Sequence, residues 1–298
     1  MSLLLTVVEK GSLSAAGRTL RMPVATLSRR ISDLEARIGA RLLVRTTRRL
    51  SLTDAGLAYV AAARRIVDLV EEAEREAAGE FTTPKGELVL TAPVLFGRLH
   101  VLPVVTEFLA LFPQIDVRLV LADRNLPLVD DHVDMAVRIG RLPDSTMVAT
   151  RIGAMRTVVC ASPALLAAHG VPAVPEDLER LPCVAFDAIP LPGWGFRRPG
   201  SGTPVELSIR PRLTVSTAEA AAAAAIADVG ATRLLHYQVA DAVAAGGLRL
   251  VLEDFEPEPA PVHLVHAARG QMPLKMRAFL DFAAPRLRAA LAGIGRTG

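Results

Sequence analysis

The chain has 298 residues, about twice the size of a usual domain, and its length predicts two or three compact units. Hydrophobic residues make up 51% of the chain. The longest alanine-rich run, residues 218–227, is broken by Glu219 and is shorter than the ~20 apolar residues that span a bilayer. No membrane helix is therefore predicted. The net charge is +3, but it is unevenly distributed: residues 1–60, the head, hold ten Lys and Arg against four Asp and Glu (+6), and the remainder, the body, carries −3. A basic head on an acidic body is typical of a nucleic-acid-binding module joined to a second unit.

Two short helices are predicted at the start of the head. Apolar residues recur at helical spacing up to Gly11, which ends the first helix. Ser12 is a good N-cap for a second helix over residues 14–20, where the small residues Ala16 and Gly17 allow another helix to cross closely.

A third helix begins near Pro23, which suits a first helical turn because its missing N–H is not needed there. Its predicted buried stripe is Leu27, Ile31, Leu34 and Ile38. We predict that its polar side reads base edges in the major groove through Ala25, Thr26, Ser28, Arg29 and Arg30, with Asp33 and Arg37 outside the groove. Two helices joined by a short break in this way match the helix-turn-helix pattern, although a pair of arginines alone is more often a solvated face.

The next segment predicts a basic hairpin. Residues 42–45 and 49–52 are typical of two short strands with a polar tip between them. A hairpin after a recognition helix is a wing, and its predicted phosphate contacts are Arg45, Thr46, Arg48 and Arg49. Thr53 then caps a long helix over residues 55–78, with Asp54 near its positive end.

The long helix carries an apolar stripe of Val60, Ala63, Val67 and Val70, widened by Leu57, Ile66 and Leu69. A rod of this length is too long for a 60-residue head to cover, so we expect it to pair with a second copy of the chain. The alternative is a helix that lies on its own body.

The run GSLSAAGRTL, followed by LSRRISDLEARIGARLLVRTTRRLSLTDAG, resembles the winged helix-turn-helix head of the LysR-type transcriptional regulators. The resemblance extends over nearly the whole chain. Two features depart from the family pattern: the first helix is short, as expected if Met1 is an internal start, and Pro23 stands where many members have a serine cap. The resemblance implies three partners: double-stranded promoter DNA, a small-molecule effector, and further copies of the chain in a homodimer or homotetramer.

A polar segment over residues 81–86 predicts a hinge, and alternating strands and helices after it predict an α/β body. The predicted strands are residues 87–91, 116–121, 134–139, 157–161, 183–186, 212–215, 231–235 and 262–267. The predicted helices are residues 95–111, 217–228, 236–244 and 272–291, the last bent or split by Pro285.

The expected fold class is therefore α/β with an all-α, winged N-terminal module. The domains are a winged helix-turn-helix at 1–53, a linker and dimerisation helix at 54–80, the hinge, and an effector-binding domain at 87–298. The resemblance implies that this last domain consists of two Rossmann-like subdomains, as in type 2 periplasmic binding proteins. We place the first at 87–161 plus 268–298 and the second at 162–267.

An effector is expected at the carboxyl ends of strands, where helix N-termini expose N–H groups. Two strand-to-helix junctions fit, and the resemblance implies effector contacts at both, with candidate residues Pro93, Val94, Ser216 and Thr217. Ser216 is also expected to cap its helix. Arg138, at the end of a strand, is a candidate partner for an anionic effector, the alternative being a surface or subdomain-bridging ion pair.

Other classes of protein are disfavoured. The two cysteines, Cys160 and Cys183, form no CxxC pattern and are expected in the core of a cytoplasmic protein, and the start of the chain lacks the features of a secretion signal. No GxSxG, P-loop, GxGxxG or HExxH motif is present, so neither an enzyme nor a cofactor or metal site is predicted. A solute-binding transport component would leave the basic head unexplained. An architectural DNA-binding protein whose body only oligomerises remains the main alternative to an effector-responsive regulator.

Overall fold

The computed structural model of the protein describes residues 1–45, 50–77, 83–128, 131–142, 147–186, 193–268 and 272–294. The chain divides into two compact units, Met1–Gly86 and Glu87–Gly298. The division falls at the last residue of the segment expected to be a hinge.

The first unit starts with three helices, α1 (Ser2–Lys10), α2 (Leu13–Thr19) and α3 (Val24–Ile38). Gly11 ends α1 with a left-handed backbone (φ 65°), and the Ser12 hydroxyl accepts a hydrogen bond from the Ala15 N–H at 3.1 Å. The predicted helices and their caps are thus confirmed. A Cβ on Gly17 would lie 2.9 Å from the Met22 carbonyl oxygen, so the close turn between α2 and α3 requires glycine there.

These helices share one apolar core. Leu27 and Ile31 of α3 are fully buried against Leu4 and Val7 of α1, and Leu34 is buried beside them. The prediction that Ile38 completes this stripe is wrong, because its side chain is 39% exposed. Ile38 is the last residue of α3, and Gly39 ends the helix with φ 76°, so Ile38 lies beyond the residues that cover the stripe.

A short antiparallel hairpin follows, formed by β1 (Leu43–Arg45) and β2 (Leu50–Leu52), and then a long helix, α4 (Asp54–Ala77). The strand prediction is confirmed, although the hairpin tip, including Thr46, Arg48 and Arg49, lies outside the described residues. Thr53 caps α4 by accepting a hydrogen bond from the Gly56 N–H at 2.9 Å. A Cβ on Gly56 would lie 2.0 Å from the Leu42 carbonyl oxygen, so the helix also meets the hairpin through a glycine.

Only part of the predicted stripe on α4 is covered within this unit. Val60 and Ala63 are buried, whereas Leu57, Ile66 and Val70 are 57%, 44% and 51% exposed. The α4 helix therefore packs on its own head near its start and leaves an apolar surface further along.

The second unit contains two five-stranded sheets with helices packed on them. Its elements are β3 (Gly86–Ala92), α5 (Val94–Phe96), a π-helical turn (Gly97–Val101), α6 (Leu102–Leu111), β4 (Ile115–Leu121), β5 (Met135–Ile139), β6 (Met147–Met155), β7 (Thr157–Ala161), α7 (Pro163–His169), a 3₁₀ turn (Pro175–Arg180), β8 (Cys183–Phe186), β9 (Trp194–Arg197), β10 (Pro204–Leu207), β11 (Leu213–Val215), α8 (Ala218–Ile226), β12 (Ala231–Leu235), a 3₁₀ turn (His236–Gln238), α9 (Ala240–Ala244), β13 (Arg249–Val251), a 3₁₀ turn (Glu253–Phe255), β14 (Ala260–Ala267) and α10 (Leu274–Ile294). The first sheet has the strand order β4-β3-β5-β14-β6 and the second β11-β8-β12-β7-β13.

All eight predicted strands are present, but two lie in the sheet opposite to the one expected. The strand β7 (residues 157–161) belongs to the second sheet and β14 (residues 260–267) to the first, so the subdomain boundaries fall at residue 156 and between β13 and β14. Strand pairing between distant residues decides this, and strand periodicity carries no information about it. The sequence did not predict β6, β9, β10, β13 and α7, which are short or irregular. In β6 the irregularity is a shift in the pairing register opposite Val262 and His263.

Helices α5 and α6, joined by the π-helical turn, form one helix from Val94 to Leu111 that packs on the first sheet. By length and composition this helix could span a membrane, with a mean hydropathy of 1.6, but such a test is weak because core helices also pass it. Phe96 and Phe108 are fully buried in the core of the first sheet together with Phe279 of α10. The helix α10 runs from Leu274 to Ile294 through Pro285, so of the two expected effects of this proline, a bend or a split, the split does not occur.

Candidate DNA-binding face and ligand cleft

The exposed face of α3 carries the residues predicted to read DNA. Ala25, Arg29 and Arg30 are exposed, and Thr26 and Ser28 on its flanks are half-buried. Because Leu27, Ile31 and Leu34 hold the other face in the core, the arginines point to solvent. A helix that presents arginines beside the small residue Ala25 has the shape and the donors to enter a major groove.

Sequence reasoning missed one residue that organises the head. The Glu35 Oε1 accepts hydrogen bonds from the Leu42 N–H at 2.7 Å and from the Leu43 N–H at 3.0 Å. These bonds join α3 to the start of the hairpin and set the direction in which the hairpin leaves the helix. The sequence offers little signal for this role, since Glu35 is one of two acids, with Asp33, in a mainly basic segment.

The second unit brings together the strand ends that were expected to bind a ligand. Since β3 and β5 are parallel, with Thr91 opposite Ala136, Pro93 and Arg138 lie at the same edge of the first sheet. In the second sheet, β11 and β12 both run parallel to β8, so the residues after them also share one edge. The buried rings of Phe96 and Tyr237, with centroids 5.8 Å apart, bring the two edges together, and we call the place where they meet the cleft.

Arg138 lies at the expected edge, but its guanidinium is already engaged. Its Nη1 donates to Asn125 Oδ1 at 2.6 Å, and its Nη2 donates to the Leu126 carbonyl oxygen. Burial lowers the pKa of Arg138 below its usual value. The side chain therefore holds the loop after β4 in place.

The hydroxyl pair behaves differently from the expectation. Thr217, not Ser216, is the N-cap of α8, because the Thr217 hydroxyl accepts a hydrogen bond from the Ala220 N–H at 3.3 Å. Ser216 is exposed one residue earlier. The strand β11 ends at Val215 and α8 begins at Ala218, so Thr217, whose backbone is extended, is the residue directly before the helix.

The helix that begins at Val94 receives its cap from another strand end. Pro93 has no side chain that can accept a hydrogen bond, and the Val94 N–H donates instead to Asp123 Oδ1 at 3.0 Å. Burial raises the pKa of Asp123, the Val94 hydrogen bond lowers it, and the nearby Glu219 carboxylate raises it further. Sequence reasoning identified neither acid, because Asp123 and Glu219 lie 96 positions apart in the chain and meet only through the fold.

Two further groups beside this cleft were also missed, the half-buried His100 and the buried Tyr237. His100 packs against Phe96 and Tyr237, with ring centroids 4.9 and 5.9 Å away, and burial lowers its pKa. Tyr237 is 7% exposed, and its hydroxyl accepts a hydrogen bond from Gln238 Nε2 at 3.3 Å. Among the described residues, the buried atoms His100 Nε2 and Glu219 Oε2 have no hydrogen-bond partner.

Two family models match the chain. Residues 1–57 match the bacterial regulatory helix-turn-helix proteins of the lysR family, and residues 82–288 match the LysR substrate binding domain. An HTH-type transcriptional regulator of Xanthomonas campestris pv. campestris (strain 8004) is 34% identical over 284 residues, which cover 94% of this chain and 83% of that protein. The HTH-type transcriptional regulator CrgA of Neisseria meningitidis serogroup C (strain 8013) is 32% identical over 305 residues, which cover 98% of each.

Solved structures agree. The LysR-type transcriptional regulator CrgA from Neisseria meningitidis matches with a TM-score of 0.60 and 31% identity, over 96% of this chain and 97% of that one. The full-length Vibrio cholerae virulence activator AphB, a member of the LTTR protein family, matches with a TM-score of 0.60 and 28% identity, over 95% and 96%. The chain therefore belongs to the LysR family of transcriptional regulators, with a helix-turn-helix head that binds DNA and a substrate-binding domain.

Proposed function

We propose that this regulator reads its promoter site through Ala25, Thr26, Ser28, Arg29 and Arg30, and that a small molecule bound in the cleft changes how the protein holds DNA. The observation that carries the first part is the exposed arginine face of α3, opposite the stripe buried in the head. Arginine can bond guanine edges through two donors, so this face suits sequence-specific reading. The wing residues Arg45, Thr46, Arg48 and Arg49 add charge and hydroxyl groups for phosphates.

The cleft supports the second part. The candidate residues Pro93, Val94, Ser216 and Thr217 directly follow the carboxyl ends of β3 and β11, and ligands of open α/β sheets bind at such ends. A ligand that prefers one relative placement of the two sheets shifts the population towards that placement, whereas equal affinity for both would shift nothing. Closure of the cleft in one copy then alters the spacing of paired heads on promoter DNA.

Pairing of heads requires self-association, and the exposed side chains Ile66 and Val70 of α4 support it. They lie one helical turn apart on a helix whose described side chains are buried only near its start. A second copy of the same helix offers a matching apolar surface. We propose a homodimer through α4, assembled further into a homotetramer, which acts in the cytoplasm where promoter DNA is found.

The test is a gel-shift titration of the full chain with the DNA that it selects from a random pool. We expect Arg29→Ala to remove most discrimination between selected and unrelated DNA, a loss of roughly 1–3 kcal/mol, because one pair of base contacts disappears. Arg37→Ala, at an exposed position of the same helix expected to lie outside the groove, is the matched control. Unchanged discrimination by Arg29→Ala would reject the reading role of this face.

The wing is tested by salt dependence in the same assay. Arg48→Ala should weaken binding to all sequences and reduce the slope of log affinity against log salt by about one. If the slope stays the same, Arg48 does not contact phosphate. If the protein binds DNA normally and no small molecule changes its binding or bending of DNA, the architectural alternative is correct instead.

A further inference from the structure

One residue of α3 binds most of the backbone that leads from this helix into the hairpin. The Glu35 carbonyl oxygen accepts hydrogen bonds from the Gly39 N–H at 2.9 Å and from the Ala40 N–H at 3.2 Å. Its side-chain Oε1 accepts two more, from the Leu42 N–H at 2.7 Å and from the Leu43 N–H at 3.0 Å. Both ends of this connection are therefore bound to the same residue of the recognition helix.

Thr53, directly before α4, binds the same connection from the other side. Its hydroxyl donates to the Arg41 carbonyl oxygen at 2.6 Å, and its N–H donates to the Leu42 carbonyl oxygen at 3.0 Å. The same hydroxyl accepts from the Gly56 N–H and so caps α4. Leu42 is buried, and Gly56 leaves room for its carbonyl oxygen. Residues 41–43, which we call the hairpin base, cannot shift without breaking contacts to both helices.

An acid at position 35 is unfavourable on two other grounds. Glu35 lies in the last turn of α3, where the helix dipole disfavours a negative charge. It also belongs to a basic head that binds DNA, where a negative charge opposes the attraction to phosphates. The two hydrogen bonds to the hairpin base offset these effects, since a carboxylate is a stronger acceptor of N–H groups than a neutral oxygen.

We infer that Glu35 and Thr53 are positioning residues for DNA recognition, which hold α3, the hairpin and α4 as one rigid body. This inference rests on the proposed roles of α3 in reading bases and of the wing in binding phosphates. Both sets of contacts form together only when the hairpin lies at the distance and angle from α3 that the DNA groove sets. Because Thr53 also joins the hairpin base to α4, a change in the direction of α4 moves the wing and the recognition helix together.

The experiment measures the affinity of the full chain for its selected DNA and for unrelated DNA at several salt concentrations. Glu35→Ala removes a negative charge from the head, so electrostatic attraction alone predicts tighter binding. Loss of the positioning bonds predicts the opposite sign. Affinity for all sequences should fall roughly 10-fold at about 0.1 M salt, and the slope of log affinity against log salt should decrease by about one, as in Arg48→Ala. Tighter or unchanged binding by Glu35→Ala would overturn the inference.

Two variants separate the hydrogen bonds from the charge. Glu35→Gln loses the charge but keeps an oxygen that can accept from Leu42 and Leu43, so it should retain the salt slope and bind DNA at least as tightly as the unaltered chain. Asp33→Ala removes the same charge from an exposed position of α3 and should not weaken binding. If Glu35→Gln binds as weakly as Glu35→Ala, the accepted hydrogen bonds do not position the hairpin.

The role of Thr53 is tested by a second matched pair. Thr53→Val keeps the shape of the side chain and removes the hydroxyl that binds Arg41 and caps α4, whereas Thr53→Ser keeps the hydroxyl. We expect Thr53→Val to lower the salt slope and Thr53→Ser to retain it. Equal slopes in these two variants would reject Thr53 as a positioning residue.

The salt slope also distinguishes positioning from a loss of stability. A smaller folded fraction lowers the amount of active protein but leaves the salt slope of the folded molecules unchanged. If Glu35→Ala does not fold, Glu35→Asp takes its place, because it keeps the charge and is too short by one CH₂ group to bind the hairpin base in the same way. A lowered slope in Glu35→Asp supports the inference, and an unaltered slope rejects it.

The positioning role and the proposed function fail separately. If Arg48→Ala lowers the salt slope and Glu35→Ala changes neither slope nor affinity, the wing binds phosphate and only the positioning role is rejected. If Arg48→Ala leaves the slope unchanged while Glu35→Ala weakens binding and Asp33→Ala does not, the phosphate role of the wing is rejected and the positioning role stands. If none of these variants changes slope or affinity, both are rejected.

Discussion

Arg156 binds Glu256 through two hydrogen bonds, from Nε at 2.9 Å and from Nη2 at 2.7 Å. Arg156 lies between β6 and β7, and Glu256 lies between β13 and β14, so this pair joins the two segments by which the chain crosses between the sheets. Glu253 adds a third contact, 2.9 Å from Arg156 Nη2, and the His236 N–H donates to the Arg156 carbonyl oxygen at 2.9 Å. Hydrogen bonds therefore join the two crossing segments to each other and to the turn after β12.

The two acids bound to Arg156 should differ in their contribution to stability. The Glu256 side chain is 15% exposed and Glu253 is 55% exposed, so solvent screens Glu253 far more. We expect Glu256→Ala to lower the free energy of unfolding by roughly 1–3 kcal/mol and Glu253→Ala by less than about 1 kcal/mol. Urea unfolding of the full chain measures both, and equal losses would show that the bidentate geometry adds nothing.

The contact between Glu35 and the hairpin predicts a local effect in the head. In Glu35→Ala the Leu42 and Leu43 N–H groups lose their acceptor, so their amide hydrogens should exchange with solvent markedly faster. Hydrogen exchange followed by NMR or mass spectrometry measures this. Glu9→Ala removes an exposed acid of the same unit and should leave exchange at Leu42 and Leu43 unchanged. Unaltered protection in Glu35→Ala would show that the hairpin does not depend on this carboxylate.

The exposed stripe on α4 predicts how the chain self-associates. Val70→Lys places a charge in the proposed contact and should shift the assembly towards smaller species in sedimentation velocity. The same experiment with Val67→Lys, at a half-buried position, tests the edge of the contact. Arg64→Ala, at an exposed position of the same helix, should keep the native mass. Persistence of that mass in Val70→Lys would exclude pairing through this stripe.

Three histidines make stability depend on pH: His236 is buried, and His100 and His263 are half-buried. Burial lowers the pKa of His100, His236 and His263 below their ordinary value of 6.5, so the folded protein favours their neutral forms. Their contribution is fully present above the unfolded pKa and is lost as pH falls below it, because the unfolded chain then binds more protons. We expect the urea midpoint to decrease from about pH 7.5 to about pH 5.5, and less steeply in His100→Gln. His169→Gln, at an exposed position, is the control. If the urea midpoint falls with pH as steeply in His100→Gln as in the unaltered chain, His100 titrates alike in the folded and unfolded states.

Features that depend on residues close together in the chain can be predicted from the sequence. Gly11 and Ser12 were predicted to end one helix and start the next, because a left-handed turn and a hydroxyl cap each need one residue type at one position. The buried side of α3 followed from helical spacing, except at Ile38, where the helix ends. The basic head and acidic body, together with the family resemblance, indicated a DNA-binding regulator, which the family matches confirm.

The sequence by itself determined the helices, most strands, the DNA-binding head and the family of this protein, because caps, periodicity and charge act between near neighbours. Only the tertiary structure decided that β7 and β14 lie in the sheets opposite to those expected, that Arg156 binds Glu256 across the two crossing segments, and that Thr217 rather than Ser216 caps α8. It also decided the surroundings of the strand ends, where Asp123 binds the Val94 N–H and Arg138 is already bound. Strand pairing and the positions of side chains from distant segments set these features, and no local pattern encodes them.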